Sequence, residues 1–133
     1  MKGSCLCGKV KYEVKVFESE IANCFCKMCQ KNSGSAYSTY GSVLSKNFQW
    51  LAGNVYIGTY KSSVLAERGF CKNCGSSLYY RLLNGSSGYE VALGTLDEEP
   101  NTQPNANIFC NSQAQWSKNN SQLHNFSHDR IRF

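Results

Sequence analysis

The chain has 133 residues, with 14 Lys and Arg against 9 Asp and Glu for a formal charge of +5, and it carries 8 cysteines. A single domain, 1–133, can bury enough surface at this length to fold without cross-links, so the cysteines are not needed merely as staples. The cations are scattered rather than gathered into a Lys/Arg block, which argues against a nucleic-acid partner. Seven cysteine thiolates around two zinc ions would in any case bring the net charge to about +2.

In "KVKYEVKV" (9–16), Val10, Tyr12, Val14 and Val16 alternate with Lys9, Lys11, Glu13 and Lys15, predicting a half-buried strand. Residues 27–33 predict a short helix directly after a tight cysteine cluster. Further strands are predicted at 35–44, 54–61, 77–83, 89–94 and 107–110, in runs rich in Tyr, Val and Ile, and "LNGSSGY" predicts a hairpin loop. The result is a mainly β fold of short strands. From 117 to 133 the chain is polar and aperiodic, a tail anchored by an aromatic or two. His124 and His128 sit there at helical spacing, but Asn, Ser and Asp around them oppose a helix, so both are expected in solvent.

No apolar run has the length of a secretory signal or of a spanning helix of about 18 residues. A cytoplasmic protein with no membrane contact is therefore the expectation, and its cysteines read as metal ligands or catalytic thiols before disulfides. Their even number keeps a disulfide framework as the alternative.

The cysteines form three clusters and a singleton: Cys5 and Cys7; Cys24, Cys26 and Cys29; Cys71 and Cys74; and Cys110. Zinc takes four ligands at tetrahedral angles, with sulfur at about 2.3 Å. Cys71 and Cys74, followed by a turn-forming Gly75, make a strong half-site. Completing it with Cys5 and Cys7 leaves the triple intact, with the ligand count of a catalytic zinc that keeps its fourth position open. Completing it from the triple would strand single thiols. The first division is favoured, giving a structural zinc on Cys5, Cys7, Cys71 and Cys74 and a second, catalytic zinc on Cys24, Cys26 and Cys29. One zinc with the other thiols free is the alternative.

The segments "GSCLCGKVKYEV", "NCFCKMCQKNSGSAY", "FQWLAG", "RGFCKNCGSSLYY", "LGTLDEEPNTQPNANIF" and "QW" resemble, in order and spacing, the glutathione-dependent formaldehyde-activating enzyme family, which also includes centromere protein V. The resemblance spans about residues 3–116. It implies an Mss4-like domain of short antiparallel strands built around zinc–cysteine sites, with the same two ligand sets. It also implies a carbon–sulfur lyase that adds a glutathione-like thiol to formaldehyde or a related small aldehyde, forming S-hydroxymethylglutathione. Phe25 and Asn107 stand where that family commonly has histidine.

Metal coordination deprotonates a thiol whose free pKa is about 8.5, so a three-thiolate zinc suits thiol activation more than carbonyl polarisation. Asp97 reads as a turn residue rather than a catalytic carboxylate. Tyr37, Tyr40 and Trp50 read as core aromatics rather than pocket walls, and Lys27, Lys31 and Arg68 as solvated charges rather than contacts for the glutathione carboxylates. If 107–110 is extended, Asn107 and Cys110 face opposite ways; the resemblance implies that position 107 faces the second site, so Cys110 reads as a small buried hydrophobe pointing away, with a fourth ligand to the second zinc as the alternative. A non-catalytic zinc-stabilised β module binding a protein or nucleic acid is the competing class. Methionine sulfoxide reduction ranks behind both, because Cys110 would be its only free thiol and has no resolving partner nearby in sequence.

Overall fold

The structure, a computed structural model, describes residues 1–85, 87–118 and 120–128. In chain order the elements are β1 (Lys2–Ser4), β2 (Lys11–Val14), β3 (Ile21–Cys24), α1 (Lys27–Ser33), β4 (Ser38–Leu44), β5 (Phe48–Ala52), β6 (Ile57–Ser63), β7 (Ala66–Cys71), β8 (Ser77–Leu82), β9 (Gly88–Ala92) and β10 (Ala106–Ile108). The fold is mainly β, as the sequence predicts, and the short helix falls on 27–33. The final residues of the predicted tail, 129–133, lie outside the described residues.

A three-stranded sheet has the order β1-β2-β5, and a seven-stranded sheet has the order β10-β3-β4-β9-β8-β7-β6. Pairing is antiparallel throughout except that β10 runs parallel to β3. The hydrophobic core includes Val10, Tyr12 and Val14 from the small sheet, packed with Val43, Leu78, Tyr79 and Val91 of the large one. The alternation read at 9–16 holds for three of its four apolar positions: Val10, Tyr12 and Val14 are almost fully sealed, while Val16 lies beyond the strand end and is exposed. Each such sealed side chain contributes about 1.5–3 kcal/mol. Aromatic rings of Tyr12, Phe48, Trp50, Tyr79 and Tyr89 interlock beside this core, with centroids as close as 4.5 Å for Phe48 and Tyr89. Gly69 faces Tyr79 across the β7–β8 ladder, and a Cβ there would come within 1.9 Å of the ring. The tyrosine therefore lies flat only because position 69 has no side chain.

Strand β7, "AERGFC", has no apolar alternation because both its faces are occupied. On the core side, buried Glu67 accepts from Arg81 Nε at 2.6 Å and from Tyr79 Oη at 3.4 Å. The other side belongs to the second face of the large sheet, which the small sheet does not cover. Cross-strand pairs Ala22 with Tyr40, Ser42 with Glu90, Glu90 with Tyr80 and Tyr80 with Arg68 line up along that face. The candidate site is built there.

Candidate metal centres and the cleft beside them

The first sulfur group joins two distant turns. Cys5 and Cys7 lie between β1 and β2, Cys71 ends β7, and Cys74 precedes β8; their four sulfurs lie within 4.8 Å of one another. Tetrahedral zinc with 2.3 Å bonds needs sulfurs about 3.8 Å apart. The observed Cys5–Cys7 separation is 3.5 Å and Cys7–Cys71 is 3.9 Å. Gly75 supplies the left-handed turn at φ 77, with its N–H on Cys71 O at 2.8 Å. Polar hydrogens point at the sulfurs: the Val10 amide donates to Cys5 Sγ at 3.3 Å, and the Ser76 hydroxyl lies 3.3 Å from Cys74 Sγ. The Ser76 hydroxyl and amide hold the Cys74 thiol down at about 5, while burial pushes Cys71 up to about 11. A hydrogen bond from the Lys9 backbone, the largest of several, lowers Cys7 as well.

The second group is local. Cys24 ends β3, Cys26 caps the helix with its Sγ accepting from the Cys29 amide at 3.3 Å, and Cys29 is buried on the first turn of α1. Ser33 and Ser38 both donate to Cys29 O, at 2.9 and 3.2 Å, and Gly34 ends the helix at φ 66. These three sulfurs also lie within 4.8 Å of one another. Burial raises Cys24, and Cys29 to about 12. Burial opposes ionisation of Cys26 too, but hydrogen bonds from the Cys29 amide and the neighbouring thiols outweigh it and bring that thiol below its ordinary value. Both groups could hold a metal ion, and a soft all-sulfur donor set at tetrahedral spacing fits zinc. All eight cysteines are free thiols, so the disulfide framework is not what the fold uses.

All three sulfurs of the second group line a cleft of about 390 Å³ on the uncovered sheet face. Three residues of its wall escaped the sequence reading. Arg68, expected as a solvated charge, is only 5% exposed. Its guanidinium donates to Cys29 Sγ at 3.8 Å and to Tyr40 Oη at 3.4 Å, and lies over the Tyr80 ring at 5.3 Å. The thiol and phenol beside it keep its charge firmly in place against the burial penalty. Glu90 is half-buried on the same wall, accepting from Ser42 Oγ; burial, opposed by Ser42 and assisted by nearby Glu20, raises its carboxyl. Tyr40, read as core, also lines the cleft. No motif marks these side chains, and only the register of the strands brings them together.

Other expectations divide. Lys27 and Lys31 are exposed as anticipated, and neither lines the cleft. Trp50 packs in the aromatic cluster as expected, whereas Tyr37, expected in the core, is exposed and lies tilted against Phe25 at 5.0 Å. Asp97 accepts from Ser4 Oγ at 2.7 Å and its amide bonds Lys2 O, so it fastens β1 rather than serving the cleft. His124 and His128 are exposed.

Cys110 corrects the reading at 107–110. The strand stops at Ile108, Phe109 takes a left-handed conformation at φ 58, and Cys110 enters an exposed turn with its thiol on Asn107 O. It is not the buried hydrophobe expected, and it belongs to neither sulfur group. Parallel pairing sets Ile108 beside Cys24 and Asn107 beside Asn23. Ile108 therefore faces the cleft, while Asn107 bonds Asn23 at 3.0 Å away from it. Phe25 is buried and likewise does not line the cleft.

A two-sheet β fold carrying one four-sulfur and one three-sulfur group defines a class of compact proteins able to bind metal through cysteine. Within that class, the chain belongs to the glutathione-dependent formaldehyde-activating enzyme family, whose model matches residues 1–112. A Schizosaccharomyces pombe protein named an uncharacterized lyase is 32% identical over 90 residues, which is 68% of this chain and 64% of that relative's own length. The crystal structure of a Rhodobacter sphaeroides protein shares the fold with a TM-score of 0.66, covering 80% of this chain and 99% of the other at 19% identity. Among the described residues no helix is long and apolar enough to cross a membrane.

Proposed function

We propose that this is a cytoplasmic single-domain zinc enzyme of the carbon–sulfur lyase type, joining a small thiol to formaldehyde or a related small aldehyde. The observation that carries the reading is the placement of Cys24, Cys26 and Cys29 together on the wall of the cleft. In this reading Cys5, Cys7, Cys71 and Cys74 would hold a structural zinc, and Cys24, Cys26 and Cys29 would hold a second zinc beside the cleft. A zinc ion there would supply deprotonation of an incoming thiol at neutral pH.

The chain's own residues prepare the place for that thiol. Arg68 sets a fixed positive charge against Cys29, offsetting part of the negative charge that three thiolates accumulate. Its second contact fixes the Tyr40 hydroxyl on the wall, and Tyr80 beneath the guanidinium keeps that charge from swinging out. The apolar rim formed by Met28, Leu65 and Phe109 limits water around the reacting atoms. The sulfur forms a bond to the aldehyde carbon as the carbonyl π bond opens. The proton released by the thiol returns through solvent to the new hydroxyl, so atoms and charge balance.

The test is NMR with 13C-formaldehyde and a panel of small thiols that includes glutathione, on protein of known zinc content. Hemithioacetal formation faster than the spontaneous rate, lost in Cys26→Ser, is the expected result. A fully loaded protein that accelerates none of these additions would overturn the reading.

A further inference from the structure

Two of the charged side chains lining the cleft, Glu20 and Glu90, are acidic. Resting on the thiol–aldehyde reading, we propose that the preferred thiol carries an ammonium or no charge at the end away from its sulfur, and that thiols ending in carboxylates, glutathione included, are disfavoured. Among the described residues, the charged side chains lining the cleft are Glu20, Glu90 and Arg68. Arg68 is the one cation among them, and it is buried in the wall, only 5% exposed. One terminal nitrogen serves Cys29 and the other Tyr40, while Nε is buried with no partner among the described residues and no surface for a substrate to reach.

The two acids are the reverse case. Glu20 is exposed, and Glu90 keeps surface on the wall while accepting from Ser42. They lie close enough for the charge of Glu20 to raise the Glu90 carboxyl. A carboxylate entering beside them meets like charge, and one turned the other way meets Met28, Leu65 or Phe109, which cannot replace its water. An ammonium pairs with the acids, and an uncharged tail lies on the apolar rim. Glutathione has an ammonium too, but among the described residues the wall offers its two carboxylates one cation, buried and already set against Cys29 and Tyr40.

Isothermal titration calorimetry of the zinc-loaded full chain tests this with three thiols that place their end group on the same ethylene spacer, cysteamine, 2-mercaptoethanol and 3-mercaptopropionate, with glutathione alongside. Cysteamine is expected to bind about tenfold more tightly than 3-mercaptopropionate or glutathione, with 2-mercaptoethanol between. Differences in intrinsic thiol acidity cancel on comparison with Glu20→Gln/Glu90→Gln, which should shrink the ratio to within about threefold. Because Glu90 is partly buried, the exposed Glu20→Lys serves as a second variant, expected to tighten the carboxylate thiols relative to cysteamine. Equal or tighter binding of the carboxylate thiols in the unmodified protein, or a ratio that neither variant moves, overturns the proposal. Parallel 13C-formaldehyde NMR scores the lyase reading separately. Binding in the expected order without accelerated addition removes that reading and leaves the selectivity standing; accelerated addition with glutathione bound as tightly as cysteamine does the opposite.

Discussion

The two sulfur groups are made of the same atoms and differ in how far the chain travels to assemble them. In the first, Cys7 and Cys71 meet across 64 positions of sequence, tying the β1–β2 turn to the end of β7 beside the main core. In the second, Cys24, Cys26 and Cys29 come from one strand end and the first turn of one helix. A long-range group acts as a cross-link, because an ion held there closes a long loop. A local group closes almost nothing, so it is free to give up a ligand position without loosening the fold.

The sharpest way to break this contrast is Cys71→Ser beside Cys26→Ser. The first should remove most of the folding energy a structural zinc supplies, about 10 kcal/mol or more, and leave a chain without a cooperative thermal transition. The second should keep that transition within a few degrees while abolishing aldehyde–thiol addition. Circular dichroism melts together with zinc counting decide the matter, and two equally unfolded variants would erase the distinction between the groups.

A smaller effect is expected from Arg68→Met. It removes the positive charge from Cys29 while keeping an unbranched apolar chain over Tyr80, and should weaken zinc binding by the triple about tenfold, as loss of an outer-shell partner does. Competition with a chelator reads this directly, and the four-sulfur group should hold its ion unchanged. Equal loss from both groups would mean that Arg68 serves the fold at large.

Smallest is Glu90→Gln. The folded-state pKa of Glu90 lies above its unfolded value, so the folded protein holds that proton more tightly. The contribution is stabilising while the carboxyl is protonated and is lost as pH rises from the unfolded pKa through the raised one. The glutamine variant lacks that titration, so its stability relative to the unmodified protein should rise between pH 4 and neutral pH, by less than about 1 kcal/mol. Denaturant melts at the two pH values measure the difference, and a variant that loses stability at neutral pH would show that the carboxylate is held by a partner there.

The helix and the strands with period-two patterning were legible in the sequence because they obey one rule at a time. The strands β1, β3, β5 and β7 were not, since each is short, polar or occupied on both faces; buried Glu67 and Arg68 in β7 look like a solvated stretch until their partners are known. The sulfur sets were legible for a related reason. Ligand spacing within a turn is a local property, whereas the cleft wall is a property of register. Tyr40, Tyr80, Arg68 and Glu90 come from four strands, and nothing in any one of them announces the others. At Phe109 the reading failed differently: a left-handed residue that is not glycine ended the strand two positions early and turned Cys110 outward.

The pleat at the β3–β10 edge has a consequence for how this family can diversify. Asn107 sits beside Asn23 and Phe25 packs on Tyr37, while Cys24 and Ile108 look into the cleft. A histidine written into position 25 or 107 of this protein would be delivered to the back of the ribbon, where a proton carrier has no audience. Changing what the protein reacts with means editing the even-numbered letters of these two short strands.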